Sequence, residues 1–471
     1  MTQTTQVLTQ TRGRQSNAFL GRLTAATGGG MFLDGYIFAA IAAVIAGGLI
    51  THDLGLSSID LGLISSATLI GTVIGGPIIG YLTDMFGRKP MFIVDVCAFL
   101  ICSLLMLAVT TVWQIVVLGI ILGMAIGGDY SIGSPLLGEF TPAHKRGSYL
   151  GLLEILWNVG YVVSFLVGFL VLREYPHAWH IVLASPAIPA AIILLLRHGL
   201  PESPRWLLSK GRIAEAQAVI AQLPDYEESS TFGLEEAEKT RWTMLFSKAY
   251  VGRTVFCCTF WVCIVIPYFA LVFFQSDVLA VIGLKDPIVG ALIGTCVALV
   301  GASVGWFILD RVGRRLSLII PMFATFGFLT LVALNKVLGL SVGLTVTAFF
   351  GYLFFYGIMS ILPGVYPLEV FPTSIRTSGM GFAASMSRIG AAAGTFLLPL
   401  VLARFGLNVV LFGLAAVCLF GGVMAIFMAP ETAGKELTET GSPEGTDRKV
   451  CRQSVIKKNL EYRPLVGAEI N

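Results

Sequence analysis

Charge is what this chain lacks. Only 13% of its 471 residues are Asp, Glu, Lys or Arg, about half of the roughly 25% usual in a soluble protein. With 55% hydrophobic residues over that length, the composition implies many spanning helices rather than one large globular core. The net charge of +3 says little about partners, and no nucleic-acid partner is expected. Clustered cysteine is missing too. Of eight cysteines, Cys97, Cys102, Cys257, Cys258, Cys263, Cys296 and Cys418 lie in apolar segments and Cys451 in the tail, with no CxxC pair. They are expected to be small buried hydrophobes, not disulfides or metal ligands. No nucleotide loop, metal cluster or nucleophile–base set occurs, so neither an enzyme, a cofactor nor a bound metal is expected. The polar start, with Arg12, Arg14 and Arg22, shows no cleavable-signal layout, which leaves the first spanning helix as the expected insertion signal.

Long apolar runs are what the chain has in plenty. Runs able to span fall at 26–50, 59–83, 91–111, 114–139, 148–172, 180–197, 254–279, 287–309, 316–335, 342–366, 378–403 and 408–429. An all-α polytopic membrane protein of twelve transmembrane helices is therefore expected. Most connections are short. The exception, 198–253, is charged and carries "IAEAQAVIAQL", which reads as an amphipathic surface helix. It divides the chain into a tail (1–25), a six-helix bundle (26–197), a loop (198–253), a second six-helix bundle (254–429) and a tail (430–471). Of 31 Lys and Arg, the four in the expected outer loops are Arg173, Lys285, Lys336 and Arg404, and Arg388 lies inside a helix. The rest fall on one side, which places both termini in the cytoplasm by the positive-inside rule.

The second half repeats the first. "DMFGRK" at 84–89 returns as "DRVGRR" at 310–315, an offset of 226. Glu139 and Arg146 return as Glu369 and Arg376, an offset of 230, and Pro201–Glu202 returns as Pro430–Glu431, an offset of 229. Parallel repeats of this kind define one transporter architecture, with the binding site at the repeat interface near mid-membrane.

These residues carry a family resemblance. "GYLTDMFGRKP", "LDRVGRR", "GEFTPAHKRG", "LEVFPTSIRTSG", "PESPRWL" and "PETAGKEL" occur in order over about residues 20–440. The chain resembles the major facilitator superfamily, and within it the bacterial metabolite:proton symporters related to sugar and phosphate porters. The resemblance implies two pseudo-symmetric six-helix bundles, alternating access, a bacterial inner-membrane location and a monomer in the bilayer. It also implies that Asp84, Arg88, Glu139, Arg146, Asp310, Arg314, Glu369 and Arg376 form inter-helix charge networks that hold the cytoplasmic face shut. At four-residue spacing, Asp84–Arg88 and Asp310–Arg314 can pair across one turn or bridge to a neighbouring helix end.

Three charged residues lie well inside helices: Asp34, Asp129 and Arg388. Each is roughly 10–16 Å from the cytoplasmic end of its helix. Charge at that depth is costly and points to function. Burial favours a neutral carboxyl and a nearby guanidinium favours a charged one, so a helix 1 acid can load and release a proton as access alternates. A structural ion pair, or a hydrogen-bond acceptor for substrate, is the bland alternative for Asp34. The simplest neutralising arrangement sets Arg388 in one half against acids of the other. The resemblance adds that an acid at the place of Asp34 couples protons in many sugar and phosphate symporters. The "GGDY" string around Asp129 resembles phosphate:proton symporters, where that acid is implicated in proton transfer. The "RIG" string at Arg388 resembles relatives of organic-ion transporters. A guanidinium there suits a carboxylate or phosphate. Softer candidates for the substrate pocket follow from helical spacing. Trp261, Tyr268 and Gln275 are seven apart on helix 7, Tyr352 and Tyr356 share a face of helix 10, and Glu154, Asn158 and Tyr161 share a face of helix 5.

The chain departs from each better-known branch. Helix 7 lacks the paired glutamine of sugar porters, Glu154 stands where they tend to carry glutamine, and their helix 4 arginine is replaced near Ile120. The acid that phosphate porters carry four residues after the helix 7 tryptophan is Val265 here. Helix 5 lacks the Gly-Pro pair of drug/proton antiporters. The expected function is proton symport of a small organic anion, a carboxylic or sugar acid. A neutral sugar or polyol symporter is the alternative, followed by a phosphate symporter and a transporter-like sensor.

Overall fold

The computed structural model describes the backbone of residues 3–141, 146–220, 242–335, 337–371 and 375–433. Within these, side chains are described except at 3–18, 49, 135, 138–139, 146–148, 205, 209, 242 and 376–377. Among the described residues the chain is all-helical, with twelve candidate spans. Spans 1–6 are Phe19–Ala46, Ser58–Phe86, Arg88–Ala108, Val112–Ser134, Tyr149–Glu174 and Trp179–Arg197. Spans 7–12 are Val251–Phe273, Pro287–Val312, Arg314–Ala333, Val342–Val370, Ser378–Phe405 and Leu407–Met428. In lipid every backbone polar group must be satisfied within the segment, which makes the helix the only open-chain solution. Large apolar side chains such as Ile101, Leu195, Phe307 and Phe427 point outward, as a lipid-facing surface requires.

The helix pairings obey the internal repeat. Span 1 packs on 5, span 2 on 4 and span 3 on 6; six spans later, 7 packs on 11, 8 on 10 and 9 on 12. The cross-half contacts, span 2 with 11 and span 5 with 8, are also exchanged by the same operation. Small residues set the tightest seams. A Cβ on Gly71 would collide with the backbone of span 4 at Ile120 and Gly123, and one on Gly301 would collide with span 10 at Phe354 and Gly357. Gly71 and Gly301 are 230 residues apart, the same offset as the loop motifs.

Gly87 and Gly313 turn the chain between spans 2 and 3 and spans 8 and 9, with φ of 106° and 89°. Those values favour glycine over any residue with a Cβ. The helix that follows each turn starts with free N–H groups. Glu202 accepts from the N–H groups of Arg88 and Lys89, both at 3.0 Å. Glu431 accepts from those of Arg314 and Arg315 at 3.0 and 3.1 Å. The two copies of the Pro-Glu motif are thus equivalent helix caps.

Three spans depart from the expected continuous helices; span 6 is interrupted at Ser185–Pro186, between Trp179–Ala184 and Ala187–Arg197. Span 7 ends at Phe273, and a separate short helix, Gln275–Ile282, follows a break at Phe274. Gln275 therefore does not continue the stripe of Trp261 and Tyr268; it turns to donate to the Ala291 carbonyl at 3.3 Å. Span 10 is broken between Met359 and Leu362, where Pro363 removes an N–H donor from the ladder. Of the expected amphipathic helix, Ile213–Ile220 is helical with Ala216 buried; its last residues lie outside the described ones.

Candidate functional site

Asp34 is fully buried, and neither carboxylate oxygen has a hydrogen-bond partner. A buried carboxylate without donors is costly. One turn earlier on span 1 is Gly30, and its missing side chain matters. A Cβ there would collide with Asp129 and Arg197. Those two residues form an ion pair, both buried. Arg197 also pairs with Asp95 at 3.2 Å, donates to the Phe92 carbonyl at 2.9 Å and to that of Ala26 at 3.4 Å, and lies 3.4 Å over the Phe92 ring. The result is a triad of Asp95 (span 3), Asp129 (span 4) and Arg197 (span 6), held against span 1.

Arg388, on span 11, has no such shell. It is 7% exposed and lies over two aromatic rings, Tyr130 at 5.4 Å and Phe269 at 5.3 Å. Among the described residues it forms no ion pair or hydrogen bond, although Asp34 and Glu154 feel its charge. Asp129, one of the acids that could have neutralised Arg388, pairs instead with Arg197, a cation of the same half. Glu154 reaches across to the second half, its Oε1 within 3.1 Å of where a Cβ on Gly364 would sit.

A layer of aromatic rings joins the halves. Tyr268 and Tyr356 stack at 3.9 Å and 4°. Trp157 and Tyr161 stack at 5.7 Å and face Tyr268 and Phe269, and Phe38 completes the layer. Within and beside it are buried polar atoms with no hydrogen-bond partner: Trp157 Nε1, Tyr161 and Tyr352 hydroxyls, Ser164 Oγ and Gln275 Oε1. Such a concentration of orphaned donors and acceptors marks a place made for a polar guest. Asn158 instead spends its amide on the Glu154 carbonyl at 2.9 Å. Trp261 is buried at the middle of span 7 and makes no ring contact among the described residues. A cleft of about 200 Å³ between Ala43, Gly47, Phe165, Leu172 and Ile288 lies where spans 1 and 5 meet span 8. A larger one of about 450 Å³ lies at the Lys/Arg-rich end, beside Lys89, Glu202, Trp206 and Arg212. The second is the larger, but the rings of the aromatic layer and their polar atoms do not line it.

At the Lys/Arg-rich end, Arg314 pairs with Asp310 at 2.9 Å and with Glu369 at 3.0 Å, and Thr432 donates to the same Glu369 carboxylate at 2.5 Å. The equivalent pairing of Asp84 with Arg88 does not form; the Asp84 carbonyl accepts from Trp206 Nε1 at 3.1 Å. The side chains of Glu139, Arg146 and Arg376 lie outside the described ones. Sequence reasoning missed Asp95 and Arg197. Asp95 interrupts the apolar run of span 3 as visibly as Asp34 interrupts span 1, and that signal was available. Arg197 ends a span before a charged loop, so it reads as one more flanking cation.

The family described as sugar (and other) transporter matches residues 20–442. The inner membrane metabolite transport protein YgcS of Escherichia coli K12 is 37% identical over 92% of this chain and 96% of its own length. The niacin transporter NiaP of Acinetobacter baylyi is 25% identical over 86% and 94%. Among solved structures, the major facilitator superfamily proton:xylose symporter XylE superposes with a TM-score of 0.75 at 19% identity, covering 90% of this chain and 98% of that one.

Proposed function

The chain belongs to the sugar (and other) transporter family, a multi-pass secondary transporter of a metabolite, and on that premise we propose that it carries a small organic anion inward with protons. Arg388 carries this reading. A buried guanidinium with two aromatic rings beside it and no ion-pair partner among the described residues suits an anion. A carboxylate can accept two parallel hydrogen bonds from it. The orphaned hydroxyls and indole N–H of the aromatic layer would take the rest of the substrate. Asp34 and Asp129 serve as proton carriers, Glu154 and Tyr356 line the path between the halves, and the Asp310–Arg314–Glu369 network closes the Lys/Arg-rich, cytoplasmic end.

One observation favours a second reading. Aromatic rings with unpartnered Trp157 Nε1 and Tyr161 hydroxyl also suit a neutral sugar, and a structural relative is a proton:xylose symporter. Proteoliposomes with an internal pH dye separate the two. Pooled organic acids acidify the lumen, pooled sugars, polyols and inorganic phosphate do not, and Asp34→Asn abolishes the signal. Acidification by the sugars alone would make Arg388 a structural cation and sink the anion reading.

A further inference from the structure

We propose that Asp95, Asp129 and Arg197 form a proton store one helical turn from Asp34, holding a single proton between the two carboxyl groups. The inference deepens the reading of Asp34 as proton carrier and rests on it. The triad sets two carboxyl groups against one guanidinium, all three buried. With both acids ionised it would carry an uncompensated negative charge inside the bilayer, which is strongly unfavourable. One added proton makes it neutral. The geometry says where that proton sits. Asp95 and Asp129 bond the two terminal nitrogens of one guanidinium, Nη1 and Nη2 of Arg197, which holds the two carboxyl groups side by side. Ionised carboxylates only accept hydrogen bonds, so contact between two of them needs a proton. Each acid gives one oxygen to Arg197 and keeps one, Asp95 Oδ1 and Asp129 Oδ2, with no other donor.

The path to Asp34 runs through Gly30. Residues four apart on a helix lie about 5–6 Å from each other, and glycine leaves that step open, since any Cβ would strike Asp129 Oδ2 and Arg197 Nη2. The titratable and charged groups that face this region are Asp34 on span 1, Tyr130 on span 4, Glu154 on span 5 and Arg388 on span 11. Asp95 is seven residues from Arg88 at the start of span 3, about 10 Å from the Lys/Arg-rich end. The transfer balances. The O–H bond of neutral Asp34 breaks and a new one forms on Asp129. The proton previously shared with Asp95 leaves to water at the Lys/Arg-rich end, and Asp34 is left ionised. The triad carries one proton before and after.

Infrared difference spectra of the purified full chain, stepped in pH in water and in deuterium oxide, read the C=O band of a protonated carboxyl directly and need no substrate. At neutral pH the deuterium-sensitive band is expected in the wild type and to persist in Asp34→Asn and Glu154→Gln. Combined with Asp34→Asn and Glu154→Gln, which remove the other buried carboxyls facing the triad, Asp95→Asn is expected to abolish the band, because the remaining Asp129–Arg197 pair is already neutral, and Asp95→Glu to restore it. Asp95→Asn keeps a one-to-one pair and is the variant least prone to misfold; Asp129→Asn repeats the test from the other side. A band absent from the wild type, or one that survives both Asp95→Asn and Asp129→Asn in the background lacking the Asp34 and Glu154 carboxyls, overturns the store. Failure of the Asp34 reading shows elsewhere, as acid-driven lumen acidification that persists in Asp34→Asn while the band behaves as expected.

Discussion

Two buried arginines occupy opposite halves of the molecule and have opposite surroundings. Arg197 has its charge matched by Asp95 and Asp129, further N–H groups spent on two carbonyls, and Phe92 beneath its plane. Arg388 has two rings and no ion pair among the described residues. A saturated cation holds helices together; an unsaturated one at a domain interface is free to take up a charge that arrives. The same contrast separates the carboxylates. Asp95 and Asp129 are tied to Arg197, while both oxygens of Asp34 lack partners. Among the described residues, the first half therefore carries a paired cluster plus one acid without a hydrogen-bond partner, and the second presents one cation without an ion pair.

The contrast is broken most severely at Arg197. Arg197→Gln leaves two buried acids without their cation, and loss of one partner of a buried pair costs about 3–5 kcal/mol. The expected outcome is a large fall in thermal stability and yield in detergent; a melting profile like the wild type's would mean that the triad does not hold spans 1, 3, 4 and 6 together. Arg388→Gln is expected to do the reverse. Stability changes little, since no ion pair is lost, while kcat/KM for the transported anion falls about ten- to a hundredfold, the worth of a charged hydrogen-bonded contact. Arg388→Lys keeps the charge but not the planar fork, so it should recover only part of that loss. Flux and melting measured on the same preparations decide whether the two arginines differ in kind.

The arrangement of spans was legible because each run is long and apolar, and because motifs repeat at offsets of 226 to 230 residues. Helix breaks were not. "VFFQSDV" stays hydrophobic enough to read as continuing span 7, although the chain turns at Phe274. Asp34, Asp129 and Arg388 stood out as charges in apolar runs, but spacing along one helix carries no information about the partner on another. Which acid would face Arg388 stayed open for that reason, and Asp129 pairs with Arg197. The aromatic layer was half visible: Tyr268, Tyr356 and Tyr161 could be placed on faces. Phe38 and Phe269, ordinary lipid-compatible residues in sequence, became part of the layer only when spans 1, 5 and 7 came together.

The smallest expected effect sharpens the comparison at the Lys/Arg-rich ends of the two halves, where Glu202 and Glu431 cap equivalent helices. Burial pushes the Glu431 carboxyl up. Backbone N–H groups of Ala433, Arg314, Arg315 and Thr432 outweigh burial and hold it below the usual carboxylate range. A group whose folded-state pKa is depressed stabilises the fold fully above its unfolded value, about 4.3 for glutamate. That contribution is lost as pH falls through the lower folded value. Removing a helix-capping acceptor typically costs about 0.5–2 kcal/mol. Glu431→Gln should therefore melt slightly below the wild type at pH 7. The gap should hold down to the unfolded value and narrow only beneath it, as the wild-type carboxyl itself becomes neutral. A gap that stays constant down to the most acid pH the protein tolerates would show that Glu431 acts through its shape and not through its charge. The second cap would then do the same work without drawing on the positive end of the helix dipole.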